Sequence, residues 1–314
     1  MTEKKPDYNT AIVIRGDHPI SAPRSKLISR GKEVAESLDK LAQTVVRDII
    51  VEIHNSGFLR RRAILDPVSI EGKQISDVSL GFMFNEKKLP PKWIEDYDFR
   101  IGDTVTIESI GGFIFTKVVK EKRTGNEKIF TTPDKCPACG CKIKMRGTDW
   151  PICYCTGNAC PGRIKAQLMA FSDSMRINLN PELAKDLVDK KLVFDSADLY
   201  FLEKKNLMRL NKMDRGSAQR VLDAIEKSRH PELADIIPAL LVTGGIRQII
   251  GFEVAVNCSS INDLFDADKL ARIKSIWIKP NDVIAIQKLM NAPKTLEFLE
   301  KLKRGGVVFP HKNG

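Results

Sequence analysis

The sequence predicts a multidomain chain: a small antiparallel β-barrel, a four-cysteine zinc finger and then an all-α domain. Three observations predict it. Short runs of alternating apolar and polar residues fill the stretch beyond Ile49, two close-set cysteine pairs follow, and from there the apolar period is helical almost to the end. The boundaries this sets are 1–48 for a polar arm and helix, 49–132 for the barrel, 133–170 for the finger and 171–314 for the helices.

In the arm, Pro6, Pro19 and Pro23 precede an uninterrupted stretch, Ser25 to Val46, whose composition suits a helix. Its apolar positions Leu27, Leu38, Leu41 and Val45 make a stripe of the kind that packs on a neighbour, in this chain or in another subunit.

In the barrel, Val105 and Ile107 face one way while Thr104, Thr106 and Glu108 face the other, the period-2 signature of a half-buried strand. Gly111-Gly112 turns the chain and Phe113 to Val119 returns as a second strand. Upstream, Arg62 to Val68 and Lys73 to Val78 form another hairpin across Glu71-Gly72. An OB-type barrel, the OB-fold, closes this number of short strands naturally.

The finger rests on Cys136-Pro-Ala-Cys139 and Cys155-Thr-Gly-Asn-Ala-Cys160. Two thiolate pairs at this spacing can close a tetrahedral shell around one Zn²⁺, each hairpin knuckle supplying two sulfurs. Cys141 and Cys153 lie just inside the pairs, and either could replace a neighbour. Disulfides would need an oxidising compartment, whereas Met1 to Asp7 has no apolar signal core. A closed thiolate shell leaves no position for water or substrate, so the expected role is structural.

Beyond the cysteines, Leu183, Leu187 and Val188 share a helical face; Val221, Leu222 and Ile225 repeat it, as do Val283, Ile286 and Leu289. Met213 to Ser217 and Gly244 to Gly251 have the glycine punctuation of helix-hairpin-helix turns. In such turns, amides at a helix start can hold a DNA phosphate, and glycine lets two backbones approach.

The totals agree with a nucleic-acid partner. The 51 lysines and arginines exceed the 40 acidic residues, for a formal charge of +11, which favours a polyanion over a small acidic substrate. The finger is the densest basic segment, with Lys142, Lys144, Arg146, Arg163 and Lys165 against Asp149. The 42% hydrophobic content is ordinary for globular domains. No stretch approaches the roughly 20 apolar residues of a spanning helix, so no membrane partner is expected and the cytoplasm is the default location.

The order barrel, finger, helices resembles the non-adenylating part of an NAD⁺-dependent DNA ligase from about Ile49 to Phe309. Arg100-Ile-Gly-Asp-Thr-Val105 resembles that family's barrel strand, and Cys136-Pro-Ala-Cys-Gly140 with Cys155-Thr-Gly-Asn-Ala-Cys-Pro161 its zinc finger. Leu187 to Val193, Ser196 to Leu199, Ala224 to Ser228 and Gly245-Ile-Arg247 resemble its helix-hairpin-helix domain. The family's adenylating lysine sits in a Lys-x-Asp-Gly motif. The nearest string here, Lys212-Met-Asp-Arg-Gly216, is interrupted by arginine and matches the second hairpin instead.

The resemblance implies one subunit of a split ligase, as in certain tailed bacteriophages, working in the host cytoplasm if phage-encoded. A separate adenylating subunit would hold NAD⁺ and Mg²⁺, and this chain, inactive alone, would align nicked double-stranded DNA in replication and repair. Carried over residue by residue, Arg100 and Lys117 in the barrel, and Arg163 and Lys165 after the last cysteine, are phosphate contacts. Arg215, Gly216 and Ser217 at one hairpin and Gly245, Arg247 and Gly251 at another grip phosphates flanking the nick. Leu27, Leu38 and Leu41 are expected to dock the partner. The chain departs from the family at the barrel loop Glu108 to Gly112. Two hairpins, Asn178 to Pro181 and Ser275 to Pro280, lack glycines, and Arg247 to Gly251 runs one residue long. A stand-alone zinc-containing scaffold of replication or repair, without ligase activity, is the alternative, and RNA binding through the barrel and finger a third.

Overall fold

A computed structural model describes residues 41–80, 99–110, 113–118, 123–146, 152–211 and 213–311. These divide into two compact units, one holding 59–155 together with the chain up to Glu52, the other holding 53–58 and 156–314.

The first unit is built on a five-stranded sheet of order β3-β2-β1-β5-β6. Its strands are β1 Leu41–Ile53, β2 Leu59–Ile70, β3 Lys73–Leu80, β5 Thr104–Ile110 and β6 Phe113–Val118; the short β4 Arg100–Ile101 pairs with β7 Lys128–Ile129. The pairs β1·β5, β2·β3 and β5·β6 are antiparallel. Alternation sends Val46, Ala63, Leu65, Val78, Val105 and Ile107 into one apolar core, with Phe99 and Ile70 closing it. The expected hairpin is there: Ile70 pairs with Lys73, and Glu71 (φ 50°) and Gly72 (φ 74°) both take the left-handed conformation that a tight hairpin turn needs. The register of β2 and β3 shifts between Ile64 and Val68, where Pro67 has no amide to donate.

The expected helix over Ser25 to Val46 fails at its C-terminal end, because Leu41 to Val46 is strand paired with β5, so the barrel begins before residue 49. Thr44, Val45 and Val46 are β-branched, which suits a pleated strand better than a helix. Thr44 and Val46 are buried on one face. Leu27, Leu38 and the rest of the predicted helix lie outside the described residues.

A buried carboxylate fixes the entrance to β5. Arg100 to Asp103 is a turn closed by the Asp103 amide donating to the Arg100 carbonyl (3.1 Å), with Gly102 at φ 99° supplying the third position. The Asp103 carboxylate, fully buried, accepts from the Arg100 amide (2.8 Å) and from both Nε (2.5 Å) and Nη2 (2.7 Å) of Arg123.

The second unit is helical: α1 Pro161–Ser174, α2 Pro181–Asp189, α3 Lys204–Leu207, α4 Arg215–Lys227, α5 Leu233–Thr243, α6 Gln248–Asn257, α7 Ala267–Ala271, α8 Pro280–Met290 and α9 Pro293–Arg304. Short 3₁₀ turns, Ser196–Phe201 and Ile261–Phe265, interrupt the series. The order repeats itself. Asp195 and Asp198 cap the first 3₁₀ turn with reciprocal bonds, as Ser260 and Asp263 cap the second, and Leu199 then Leu264 follow into the core. Leu183, Ala184, Leu187 and Val188 are the buried face of α2; Ile250, Gly251, Val254 and Ala255 are that of α6 in the same spacing. One continuous core runs from Leu168 to Val307. At one close approach of backbones, between α5 and α6, a Cβ on Gly251 would stand 2.7 Å from the Cα of Pro238.

Residues 53–58 belong to this helical unit. Asn55, buried, donates from Nδ2 to the carbonyl of Val242 (2.8 Å). Gly57 (φ 92°) lies so close to Arg163 that a Cβ would meet its guanidinium. His54 stacks on Phe58 with ring centroids 4.1 Å apart, and its Nδ1 accepts from the Ser56 amide (3.3 Å). Burial pulls the His54 pKa down to about 4, so the neutral ring is the folded form.

Two outcomes follow. Asp103→Ala leaves Arg123 facing a buried hole and should destabilise the barrel by about 3–5 kcal/mol in a denaturant titration. His54 binds a proton in the unfolded chain below about pH 6.5 but in the folded chain only near pH 4. Stability should therefore fall as pH drops from about 6.5 towards 4, and His54→Gln should flatten that slope in unfolding midpoints taken across the range.

Candidate functional site

The cysteines converge as their spacing implies. Asp134 to Ile143 folds into a knuckle: the Ile143 amide donates to the Asp134 carbonyl (2.9 Å), Cys136 to Cys141 (2.8 Å) and Gly140, at φ 70°, back to Cys136 (2.8 Å). A hairpin of β8 Ile143–Arg146 and β9 Ile152–Cys155 carries Cys155, and Cys160 caps the N-terminus of α1, where Pro161 needs no amide partner. The sulfurs of Cys136, Cys139, Cys155 and Cys160 all lie within 4.8 Å of one another.

That arrangement fits a metal. Bonds of about 2.3 Å to a tetrahedral Zn²⁺ put sulfurs about 3.8 Å apart. Cys139 and Cys155 are 3.4 Å apart, near that edge length and far beyond a disulfide bond of about 2.05 Å. Cys136, Cys155 and Cys160 are buried, whereas Cys139 is half-buried. Burial pushes the Cys139 thiol up, but the Cys141 amide and the thiols of Cys155, Cys136 and Cys141 outweigh it and bring the pKa down to about 7. The shift favours the thiolate, which is the form a metal takes.

The basic residues chosen from sequence fall in different settings. Arg100 sits on β4 with its amide bound to Asp103, half-exposed. Lys117 lies in β6 opposite Thr106, its side chain outside what is described. Leu41 opens β1 opposite Glu108 and is likewise described only in its backbone. Arg163 is half-buried against Gly57, which gives it a packing role within the helical unit. Lys165 follows on α1, half-exposed.

Arg215, Gly216 and Ser217 form the first turn of α4. There Asp214, the N-cap, already occupies the Ser217 amide (2.6 Å), and the Ser217 and Gly216 amides hold its carboxyl below the usual carboxylate range. The Arg220 guanidinium donates to the Ser217 hydroxyl (2.8 Å), so a second cation stands at this helix start. Sequence reading missed Asp214 and Arg220, although Asp just before a helix start is an N-cap signal.

Gly245 (φ 87°) turns the chain between α5 and α6, and Arg247 is the N-cap of α6 with no side-chain capping bond. Arg247 reaches the Trp277 carbonyl (3.2 Å) and approaches Asp282 (3.6 Å) yet stays exposed. Gly251 lies inside α6 and is buried against Pro238, so its smallness serves helix packing. The turn that lacks glycine at Asn178 keeps the glycine conformation, with φ 55°. Asparagine tolerates that region better than other side chains.

Comparison with known proteins adds a family context. Residues 43–127 match the NAD-dependent DNA ligase OB-fold domain. The chain is 33% identical over 278 residues to a DNA ligase of Carboxydothermus hydrogenoformans, covering 85% of this chain and 40% of that protein. It is 34% identical over 278 residues to a DNA ligase of Thermoanaerobacter sp., covering 83% and 41%, and 33% identical over 279 residues to one of Halothermothrix orenii, covering 86% and 40%. The chain thus spans about two fifths of the length of these relatives. Among the described residues no helix is long and apolar enough to cross a membrane.

Proposed function

We propose that this chain is the DNA-binding, non-adenylating subunit of a two-subunit NAD⁺-dependent DNA ligase. It encircles nicked duplex DNA and aligns the two ends while a partner subunit, holding NAD⁺ and Mg²⁺, carries the adenylating lysine. The observation that carries the reading is similarity to DNA ligases running through 85% of the chain, over barrel, cysteines and helices alike. The 314 residues contain no Lys-x-Asp-Gly string to serve as an adenylation site.

The chain's own part is positioning. Lysines and arginines that neutralise phosphates fix the register of a duplex without reading its bases. Holding a 3′-hydroxyl against a 5′-phosphate makes bond formation effectively intramolecular. Lys165, Arg215, Arg220 and Arg247 are the exposed or half-exposed cations suited to this, together with Arg100 and Lys117 on the barrel. Asp214 changes the expected contact at α4: a phosphate there meets a carboxylate on the amides, so the cations Arg215 and Arg220 do the gripping. The domains follow the same division, with a helix-hairpin-helix array in the helical unit and Leu27, Leu38 and Leu41 on the arm for partner docking. Cys136, Cys139, Cys155 and Cys160 would hold one Zn²⁺ that supplies folding energy to the finger.

The purified chain should neither accept labelled AMP from NAD⁺ nor seal nicks, and should seal them once the adenylating subunit is added; a covalent adenylate on this chain alone overturns the reading. Removing residues 1–40, which spares β1, should abolish capture of the partner. Asp214→Asn keeps a cap but removes a negative charge, and should tighten nicked-duplex binding by about two- to five-fold at low salt. Arg215→Ala should weaken it and lower the salt slope by about one. Zinc analysis should give one ion per chain, lost in Cys160→Ser with unfolding of the finger.

A further inference from the structure

We propose that Asn55 and Gln167 are positioning residues for the DNA contact at the α5–α6 turn, two side-chain amides that hold the end of α5 so that Arg247 meets a phosphate at a fixed place. The inference rests on the DNA-binding reading above and adds to it two uncharged residues that act through the backbone.

The turn first closes itself. The Ile246 amide donates to the Leu241 carbonyl (3.0 Å), the Gly245 amide to that of Val242 (3.0 Å) and the Thr243 hydroxyl to that of Leu240 (2.8 Å), with Gly245 left-handed as such a helix end requires. Those bonds leave the Thr243 carbonyl, and the second lone pair of the Val242 carbonyl, to partners from elsewhere. Gln167 donates from Nε2 to Thr243 (2.8 Å), and Asn55 from Nδ2 to Val242 (2.8 Å). Gln167 comes from α1 and Asn55 from the loop 53–58, so two separate elements grip the last two residues of α5.

The same elements meet the turn by packing. Arg163 lies one helical turn before Gln167, hence on the same face of α1, and it packs on Gly57 of the loop. A Cβ on Gly245 would stand 2.8 Å from that of Ser56, and the Leu289 side chain of α8 lies against Gly244. The base of the turn is thus bracketed by α1, the loop and α8, whereas Arg247 and Gln248 beyond it are exposed. The Arg247 guanidinium has only peripheral ties, to the Trp277 carbonyl (3.2 Å) and Asp282 (3.6 Å). Where it can stand follows from where the bracket holds the backbone.

Neither amide bond is what folds the unit. The approach of α5 and α6 at Pro238 and Gly251, and the shared core, remain when either bond is lost. Loss should loosen the turn more than it destabilises the helices, which separates positioning from support.

Nicked-duplex binding by the full chain tests this, read beside thermal unfolding and amide exchange. Gln167→Met keeps the length and removes the donor. It should speed exchange of the Gly245 and Ile246 amides, weaken binding by about three- to tenfold and lower the salt slope by about one, with little change in the unfolding midpoint. Asn55→Ala should act in the same direction, and replaces it if Gln167→Met does not fold. The deciding comparison is made on Arg247→Ala. There Gln167→Met should cost less than about a further twofold, because the contact it positions is already gone. Equal losses in both backgrounds, or binding unchanged by Gln167→Met and Asn55→Ala alike, overturn the positioning role while the Arg247 contact stands. Failure of both variants to fold makes the two amides structural and the proposal wrong. If Arg247→Ala binds as tightly as the unaltered chain, the turn carries no DNA contact and the reading beneath the proposal fails at this hairpin.

Discussion

The convergence of four cysteine sulfurs is the contact on which the middle of this chain depends. The apolar core of the barrel reaches no further than Phe130, and that of the helices starts at Ile164. Among the described residues between them, none joins either core. A segment with so little apolar surface to bury cannot offset the entropy of ordering its backbone by packing alone. What remains is the knuckle's backbone bonds, the short hairpin of β8 and β9, and the thiols they present. Those bonds orient the sulfurs, and the sulfurs in turn give the loop a reason to stay folded.

Much of the architecture was legible because it is local. Glu71-Gly72 predicts its hairpin from conformation, Val105 and Ile107 their strand from alternation, and the cysteine spacing its cluster from the reach of a knuckle. The helical faces at Leu183, Leu187 and Val188 and at Val283 and Ile286 are core positions as their periodicity implies. The rest was not legible because it depends on partners distant in sequence. Leu41 to Val46 fits a helical stripe as readily as a strand, and pairing with β5 decided it. Arg163 lies against Gly57, distant in sequence, a contact no local window shows.

The helical unit also separates two uses of glycine that look alike in sequence. Gly245 is needed for a backbone conformation, and Asn178 supplies a similar one at the matching place in the earlier half. Gly251 is needed for closeness, and the corresponding Ala184 is nearly as small. The turn at Asn178 therefore takes without glycine the conformation that glycine serves at Gly245.

The segment 53–58 gives the helical unit a timing constraint. Asn55 is made early in synthesis, while the Val242 carbonyl it binds comes 187 positions later. Closing so long a loop is entropically slow compared with forming the helix pairs, whose partners are near neighbours. The helices can thus assemble as they emerge from the ribosome, but the seat for Asn55 stays open until α5 is complete. A nascent chain arrested before that point would carry a finished barrel hairpin and an unanchored loop, so the β1 to β2 connection settles only once a helix far beyond its own strands has been made.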